Sequence, residues 1–445
     1  MKWVRPGHPE YDETRKVFNT MIDRHPAVIA RCAGPADVAE ALAYARSHGL
    51  DVAVRAGGHS VAGMSTNEGG LVVDVRPMKS ITVDPDGQTA TVGAGVTWGE
   101  FDRATQEHGL ATTGGRASTT GVAGFTLGGG SGWLERSYGF ACDNLVSVNL
   151  VTADGERVTA SAAENPELFW ALHGGGGNFG VATEFTFKLH RLGPQVMAGL
   201  MLWPGAAAAE ISRGYRDIAL AAPDAVGGAL VYLTAPPEPF VPDDMVGNLA
   251  VGMAFLYAGD PAEGAEHAEA FRALGPAVDL VDEMNYADFQ CMIDDPPNLY
   301  HYWSADYHDE LPDAALDVTV DAARHLPEPY SQQLIVRWGG AVAGPAAAGT
   351  PLQNRAAQWV THPYGMEATP AAAQDAKAWV KKFRADIAPY ANGGVWLNFV
   401  GDEGQDRVRA AFGEENYARL ARVKREFDPG NVFHGNQNIR PAAAV

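Results

Sequence analysis

Eight of the nineteen residues from Gly114 to Gly132 are glycine. Glycine loses more backbone freedom on folding than any other residue. A folded chain keeps such a run where main chain must press against something that a Cβ would strike. Val122, Phe125, Leu127, Trp133 and Leu134 are interleaved with the glycines. These apolar residues would pack, which sets the run apart from a flexible linker. The pattern predicts a packed wall, poor in side chains, laid against a large flat or phosphorylated ligand.

A second glycine site points the same way. Val52-Ala53-Val54 reads as a short strand, and Arg55-Ala56-Gly57-Gly58-His59-Ser60 follows it. Consecutive free N–H groups in such a turn make a concave anion site. That site suits a phosphate or pyrophosphate and would set His59 beside the molecule that carries it. Taken by itself, the hexapeptide also fits a tight turn with an exposed histidine. Gly175–Gly180 satisfies GxGxxG, but a helical segment (166–173) precedes it and an alternating strand (181–189) follows. That is the reverse of the strand–loop–helix order of a dinucleotide-binding turn.

A chain of 445 residues is long enough for two domains. Residues 36–48 read as a helix between Pro35 and Gly49. Residues 71–75, 145–151 and 157–159 read as strands, and 81–83 with 89–92 as a hairpin. Thr97-x-x-Glu100 is a capping box that opens a helix ending before Gly109. Beyond about residue 195 proline and alanine become frequent, as in 235–239 and 344–349. Strand-like runs (247–257, 332–338) there alternate with helical ones (262–274, 370–386). The expected class is α+β: a first domain over 1–195, and a second over 196–399 with an antiparallel sheet and helices on one face.

The net charge of −21 argues against nucleic acid and anionic membrane surfaces as partners. No apolar run reaches the ~20 residues of a membrane span, and the first residues lack the apolar stretch of a secretory signal. A cytoplasmic protein is expected. Cys32, Cys142 and Cys291 show neither a CxxC nor a Cys/His metal spacing, so reduced, buried thiols and no metal site are expected.

Taken together, several ordered segments resemble a known family. They are Val54–Ser60, Gly121–Gly124 with Gly128–Gly132, Tyr138–Asn144, Glu167–Leu172 with Gly174–Gly180, Val181–Phe185, and the tail Phe427–Ile439. The chain is similar to the berberine-bridge-enzyme-like flavoproteins, whose FAD-binding domain is of the p-cresol methylhydroxylase (vanillyl-alcohol oxidase) type, and within them to the bacterial 6-hydroxy-D-nicotine-oxidase-like branch. The resemblance implies that residues 1–195, completed by 400–445, enclose FAD. It implies that 196–399 bind substrate. His59 would carry a covalent bond to the flavin. Arg55, Ala56, Gly57, Gly58, Ser60, Thr120, Gly121, Gly124, Gly128, Gly130, Ser131, Gly132, Val181, Asn436 and Asn438 would complete the cofactor site. Many relatives have a second link through a cysteine. Here Ala117 stands at that position, so a single tether is expected, with Cys142 as a packing residue.

The function implied is hydride removal from a CH–OH or CH–N group of a small or medium organic molecule (alcohol, sugar, amine or secondary metabolite), with molecular oxygen as electron acceptor. Thr120 stands where relatives have a small residue that gates oxygen, which leaves open a dehydrogenase with another acceptor. A flavin-binding protein without turnover is the further alternative, because relatives have Tyr-x-Asn where this chain has Trp396-Leu397-Asn398. Strand alternation would put Trp396 and Asn398 on one face, and an indole is no base. The proton acceptor is then sought in Tyr300–His308, at Tyr302 or His301, with Tyr330, His362 and Tyr364 as further candidates. His434 is expected to shape the flavin pocket.

Overall fold

Short parallel strands open the molecule. In the computed structural model, which describes residues 1–344, 349–401 and 403–443, Val28–Arg31, Leu71–Asp74 and Val52–Arg55 form a parallel set, with Lys2–Val4 antiparallel on its edge. The crossover helix Pro35–His48 starts on its proline and stops at Gly49, which turns left-handed at φ 63°. Val38, Ala41, Leu42 and Ala45 form its buried stripe. The next sheet is antiparallel, in the order Ile81–Asp84, Thr89–Gly93, Val181–Lys188, Leu145–Val151, Arg157–Ser161. Helix Trp98–Gln106 begins with the expected capping box: the Glu100 carboxylate accepts from the Thr97 amide at 2.8 Å.

Beyond Leu192 the chain builds a nine-stranded antiparallel sheet, with Leu249–Tyr257, Val226–Thr234, Gln332–Arg337 and Trp359–Glu367 at its centre. Alternation divides its two faces. Met201, Leu230, Tyr232, Phe255 and Ile335 pack under the helices Ala208–Ala221, Pro261–Arg272, Asp313–Ala323 and Pro370–Ile387. Ala198, Ala229, Leu256, Leu334 and Val336 face the other way, into the core of the first half. One hydrophobic core therefore continues from the glycine-rich region onto the inner face of the sheet. The fold is α+β, as the sequence suggests.

Some expectations change. Residues 300–308 are not one strand: Tyr300–Trp303 and Asp306–His308 are separated at Ser304-Ala305 and pair with different parts of Trp359–Glu367. Residues 396–398 are not strand either, because Leu397–Phe399 is a turn of 3-10 helix. Alternation cannot then set Trp396 and Asn398 on one face. Cys32 and Cys142 are buried, but Cys291 is only partly so; all three are free. Of the proline- and alanine-rich stretch 344–349, residues 345–348 lie outside the described residues. Unforeseen elements are Tyr11–Arg15 and the long helix Gln405–Phe427, which is kinked at Gly413. Among the described residues no helix is long and apolar enough to cross a membrane.

Gln290 joins the two halves. It is fully buried, and its Nε2 donates to Asp102 Oδ2 at 2.8 Å and to the Gly115 carbonyl at 3.3 Å. Burial pushes the Asp102 carboxyl up to about 7, against the opposing pull of the Gln290 bond. A carboxyl raised on folding contributes stability below its unfolded value, near 3.8, and loses it as pH rises toward 7. Asp102→Asn keeps an acceptor for Gln290 and stays neutral. Stabilities at pH 5 and pH 8 should show the variant gaining on the parent as pH rises, by roughly 3 kcal/mol, since about two units of the shift lie within that window. A pH-independent gap would contradict the buried-acid assignment.

Candidate active site

The glycine loops converge on one cavity of about 340 Å³. Ala56, Gly57, Gly58, His59 and Ser60 line it. Among the described residues the amides of Gly57–Val61 donate to no protein acceptor, while the Gly58 carbonyl accepts from the Phe18 amide at 3.1 Å. A row of free N–H groups therefore remains, as an anion site requires. Gly57 and Gly121 meet main chain to main chain: a Cβ on Gly57 would stand 2.3 Å from the Gly121 nitrogen. At Gly124 and Gly177, also in the wall, a Cβ would meet nothing within 4 Å. Free amides fit a diphosphate and bare backbone fits a flat ring, so these residues suit FAD.

Thr120, Gly121, Gly124, Gly128, Ser131 and Asn436 also face the cavity. Arg55 lies beneath the turn instead. It is buried, its guanidinium donates to the Thr14 carbonyl, and a Cβ on Gly58 would stand 3.2 Å from its Nε. Gly130 and Gly132 are required by packing: a Cβ would come within 2.6 Å of Phe125 or 1.9 Å of the Gly114 carbonyl. Val181 points into the core, and its neighbours Gly180 and Ala182 face the cavity. Asn438 stands outside the wall, as does His434, an exposed residue 3.6 Å from Asp51.

His59 opens onto the cavity but is otherwise closely surrounded. Its Nε2 lies 2.9 Å from Thr119 Oγ1, and its ring stacks on Phe18 at 4.0 Å. Desolvation pushes its pKa down to about 4, so the imidazole is neutral near pH 7. The far face of Phe18 stacks on His301 at 4.3 Å. His301 is buried behind that ring, with no hydrogen bond to either nitrogen among the described residues, and burial pushes it down to about 3.

The candidate bases separate by face. In Tyr300–Trp303 the sheet turns His301 and Trp303 inward, and Trp303 reaches the cavity. Tyr302 points to the helix side, beside Leu326, Trp379 and Val380, with Lys377 Nζ 4.9 Å from its ring centroid. Trp396 is buried against Phe140 and Trp338, with ring centroids 4.3 and 5.3 Å away, and does not line the cavity. Asn398 does line it, and its Nδ2 donates to the Phe125 carbonyl at 2.9 Å. Tyr364 is in the wall; His362 lies behind it, stacked on Phe399 at 4.2 Å, and Tyr330 is not in the wall.

Two features escaped sequence reasoning. Asp295 and Gln332 line the cavity beside Trp303 and Tyr364. Enclosure by the walls, with Asp294 adding repulsion, pushes Asp295 up to about 7 although it opens to the cavity. Nothing in Asp294-Asp295-Pro296 marks that role. Lys424, fully buried, donates to the Asn178 and Phe433 carbonyls and to Asp428 at 2.7, 2.9 and 2.7 Å. It ties the tail to the loop that carries Gly177 and Asn178. An i,i+4 Lys–Asp pair on a helix was the available signal.

The profile described as "FAD binding domain" matches residues 26–161, and "Berberine and berberine like" matches 395–440. (R)-6-hydroxynicotine oxidase of Paenarthrobacter nicotinovorans is 30% identical over 98% of this chain and 96% of its own. An FAD-linked oxidoreductase of Dictyostelium discoideum is 29% identical over 98% and 94%. The crystal structure of 6-hydroxy-D-nicotine oxidase from Arthrobacter nicotinovorans superposes with a TM-score of 0.88 at 26% identity, covering 99% of this chain and 98% of that one. The xylooligosaccharide oxidase of Myceliophthora thermophila shares the fold, with a TM-score of 0.86 at 22% identity, covering 99% of this chain and 97% of its own. Cradle, sequence and fold agree: the chain belongs to the berberine-bridge-enzyme-like family and is an FAD-dependent oxidoreductase.

Proposed function

We propose that this enzyme holds FAD through one covalent bond, from the His59 imidazole to the flavin, and oxidises a CH–OH or CH–N group of a small organic substrate with oxygen as the final acceptor. Residues 1–195 and 400–445 hold the cofactor, and 196–399 bind the substrate. The observation that carries the reading is a neutral imidazole on the cavity wall, held between Thr119 and Phe18. A neutral ring nitrogen is nucleophilic and can attack an electrophilic carbon. Ala117, also in the wall, offers no second nucleophile. When bound, FAD supplies the two-electron oxidant.

The protein's own groups do the rest. The Gly57–Val61 amides would hold the diphosphate. Asn398 and Asn436 are fixed by their bonds to the Phe125 and Gly177 carbonyls, which leaves their side-chain oxygens as acceptors. Trp303, Gln332, Leu334 and Tyr364, on the sheet side, form the substrate wall and exclude water from the reacting carbon.

Digested holoprotein should carry the dinucleotide's mass on the peptide containing His59, and acid-precipitated enzyme should stay yellow. His59→Ala should release its colour to the supernatant. A colourless wild-type pellet would refute the covalent bond. After anaerobic reduction, admitted air should reoxidise the flavin within the time of a turnover; sluggish reoxidation would point to another acceptor. Gly57→Ala drives a Cβ into the Gly121 main chain, and bound flavin per chain should fall by roughly tenfold or more. Normal flavin content in this variant would mean that the two turns can separate freely.

A further inference from the structure

The substrate wall carries one carboxyl group without a partner among the described residues. Among the described residues that line the cavity, Arg116 is the only strong base and Asp295 the only carboxyl, while His59 is neutral. Arg116 is already engaged, donating to Glu135 Oε1 at 2.9 Å and covering the Trp133 ring at 4.9 Å. Asp295 makes no hydrogen bond or ion pair among the described residues. Its position is nonetheless fixed by two anchors that precede it in the chain. Gln290 is anchored on Asp102 and Gly115, and the Asp294 carboxylate accepts from the Ser118 amide at 2.6 Å and from the Ser118 hydroxyl. The loop is thus stapled to the turn that bears Ala117 and Thr120, and Asp295 projects into the space between.

The walls beside it are aromatic. Trp303 and Tyr364 both face the cavity, with ring centroids 4.5 Å apart. A carboxylate that shares a cavity with an indole and a phenol attracts a cation, by direct charge and by the ring quadrupoles. It offers little to a neutral polyol, which would need several convergent donors and acceptors. The chain's charge of −21 adds a long-range attraction of the same sign.

We propose that Asp295 anchors the substrate, and that the substrate is an amine which enters as its ammonium ion. This rests on the oxidase reading above and narrows it to the CH–N class. The balance of the step is simple: the ammonium N–H bond breaks, its proton forms the O–H bond of the Asp295 carboxylic acid, and the electron pair stays on nitrogen. The neutral amine left behind is the form whose α C–H can depart as hydride, because its lone pair can stabilise the resulting iminium. A carboxyl that titrates near neutrality can hold that proton and later release it.

The test is an anaerobic titration of the holoenzyme, read by the perturbation of flavin absorbance. The probes are benzyltrimethylammonium, a permanent cation with no nitrogen lone pair, and benzyl alcohol, its neutral counterpart. The cation should bind about tenfold tighter or better than the alcohol. Asp295→Asn, which keeps the shape of the side chain, should remove that preference and leave benzyl alcohol affinity within about twofold, the alcohol serving as the control for folding. The proposal fails if Asp295→Asn keeps the preference, if the alcohol binds wild-type enzyme as tightly as the cation, or if the cation causes no perturbation. Acid precipitation of the same preparation reports the covalent bond separately. A colourless pellet with the cation preference intact would overturn the tether and leave the anchor standing.

Discussion

Main chain pressed on main chain at Gly57 and Gly121 sets the geometry of the whole cavity. The first residue belongs to the turn after a parallel strand. The second caps the helix Val122–Leu127 and bridges to Thr97. Two segments more than sixty positions apart in the chain are therefore held at backbone distance, with no side chain to mediate. Their separation cannot be retuned by exchanging one residue for a larger one. This contact lets the free amides of one turn and the bare wall of the other face the same space.

Against that rigid floor the second sheet acts as a roof. Its helix-covered face is an ordinary core of tyrosine, tryptophan and methionine. Its inner face is built from smaller residues such as Ala198, Ala229 and Ala254, which let it settle on the glycine-rich half. The tail is fastened underneath by Lys424. This ammonium is fully desolvated and tolerable because a carboxylate and two carbonyls surround it. Desolvation still holds its pKa below the usual lysine value, with Asp428 opposing the fall. The loop carrying Asn178 and the segment carrying Asn436 are thus tied together.

Legibility followed the range of the causes. The capping box at Thr97, the helix stop at Gly49 and the amide row at Gly57–Val61 depend on a few adjacent residues, and all were readable from the chain alone. The inward face of Tyr300–Trp303 was not. Alternation pairs Tyr302 with Tyr300 and His301 with Trp303, but only the helix Pro370–Ile387 decides which pair turns outward. The reading at Trp396 failed for a related reason. The bulky Trp396–Phe399 run mimics a strand, whereas the aromatic cluster of Phe140 and Trp338 draws the indole away and the chain turns tightly after it. Asp295 was invisible because its setting is assembled from the turn at Gly115–Thr120 and two distant strands. The helix Gln405–Phe427 escaped because its surface is charge-rich and Gly413 interrupts it.

The stapled segment from Gln290 to Asp295 has one more property. Between its two anchors it leaves Met292 and Ile293 partly in solvent, each 38% exposed, and Ile293 also lines the cavity. Neither side chain takes part in the anchoring bonds. Mutation there can reshape this part of the wall while the anchors hold. Any laboratory effort to redirect this catalyst toward new molecules therefore has a starting point in these two residues.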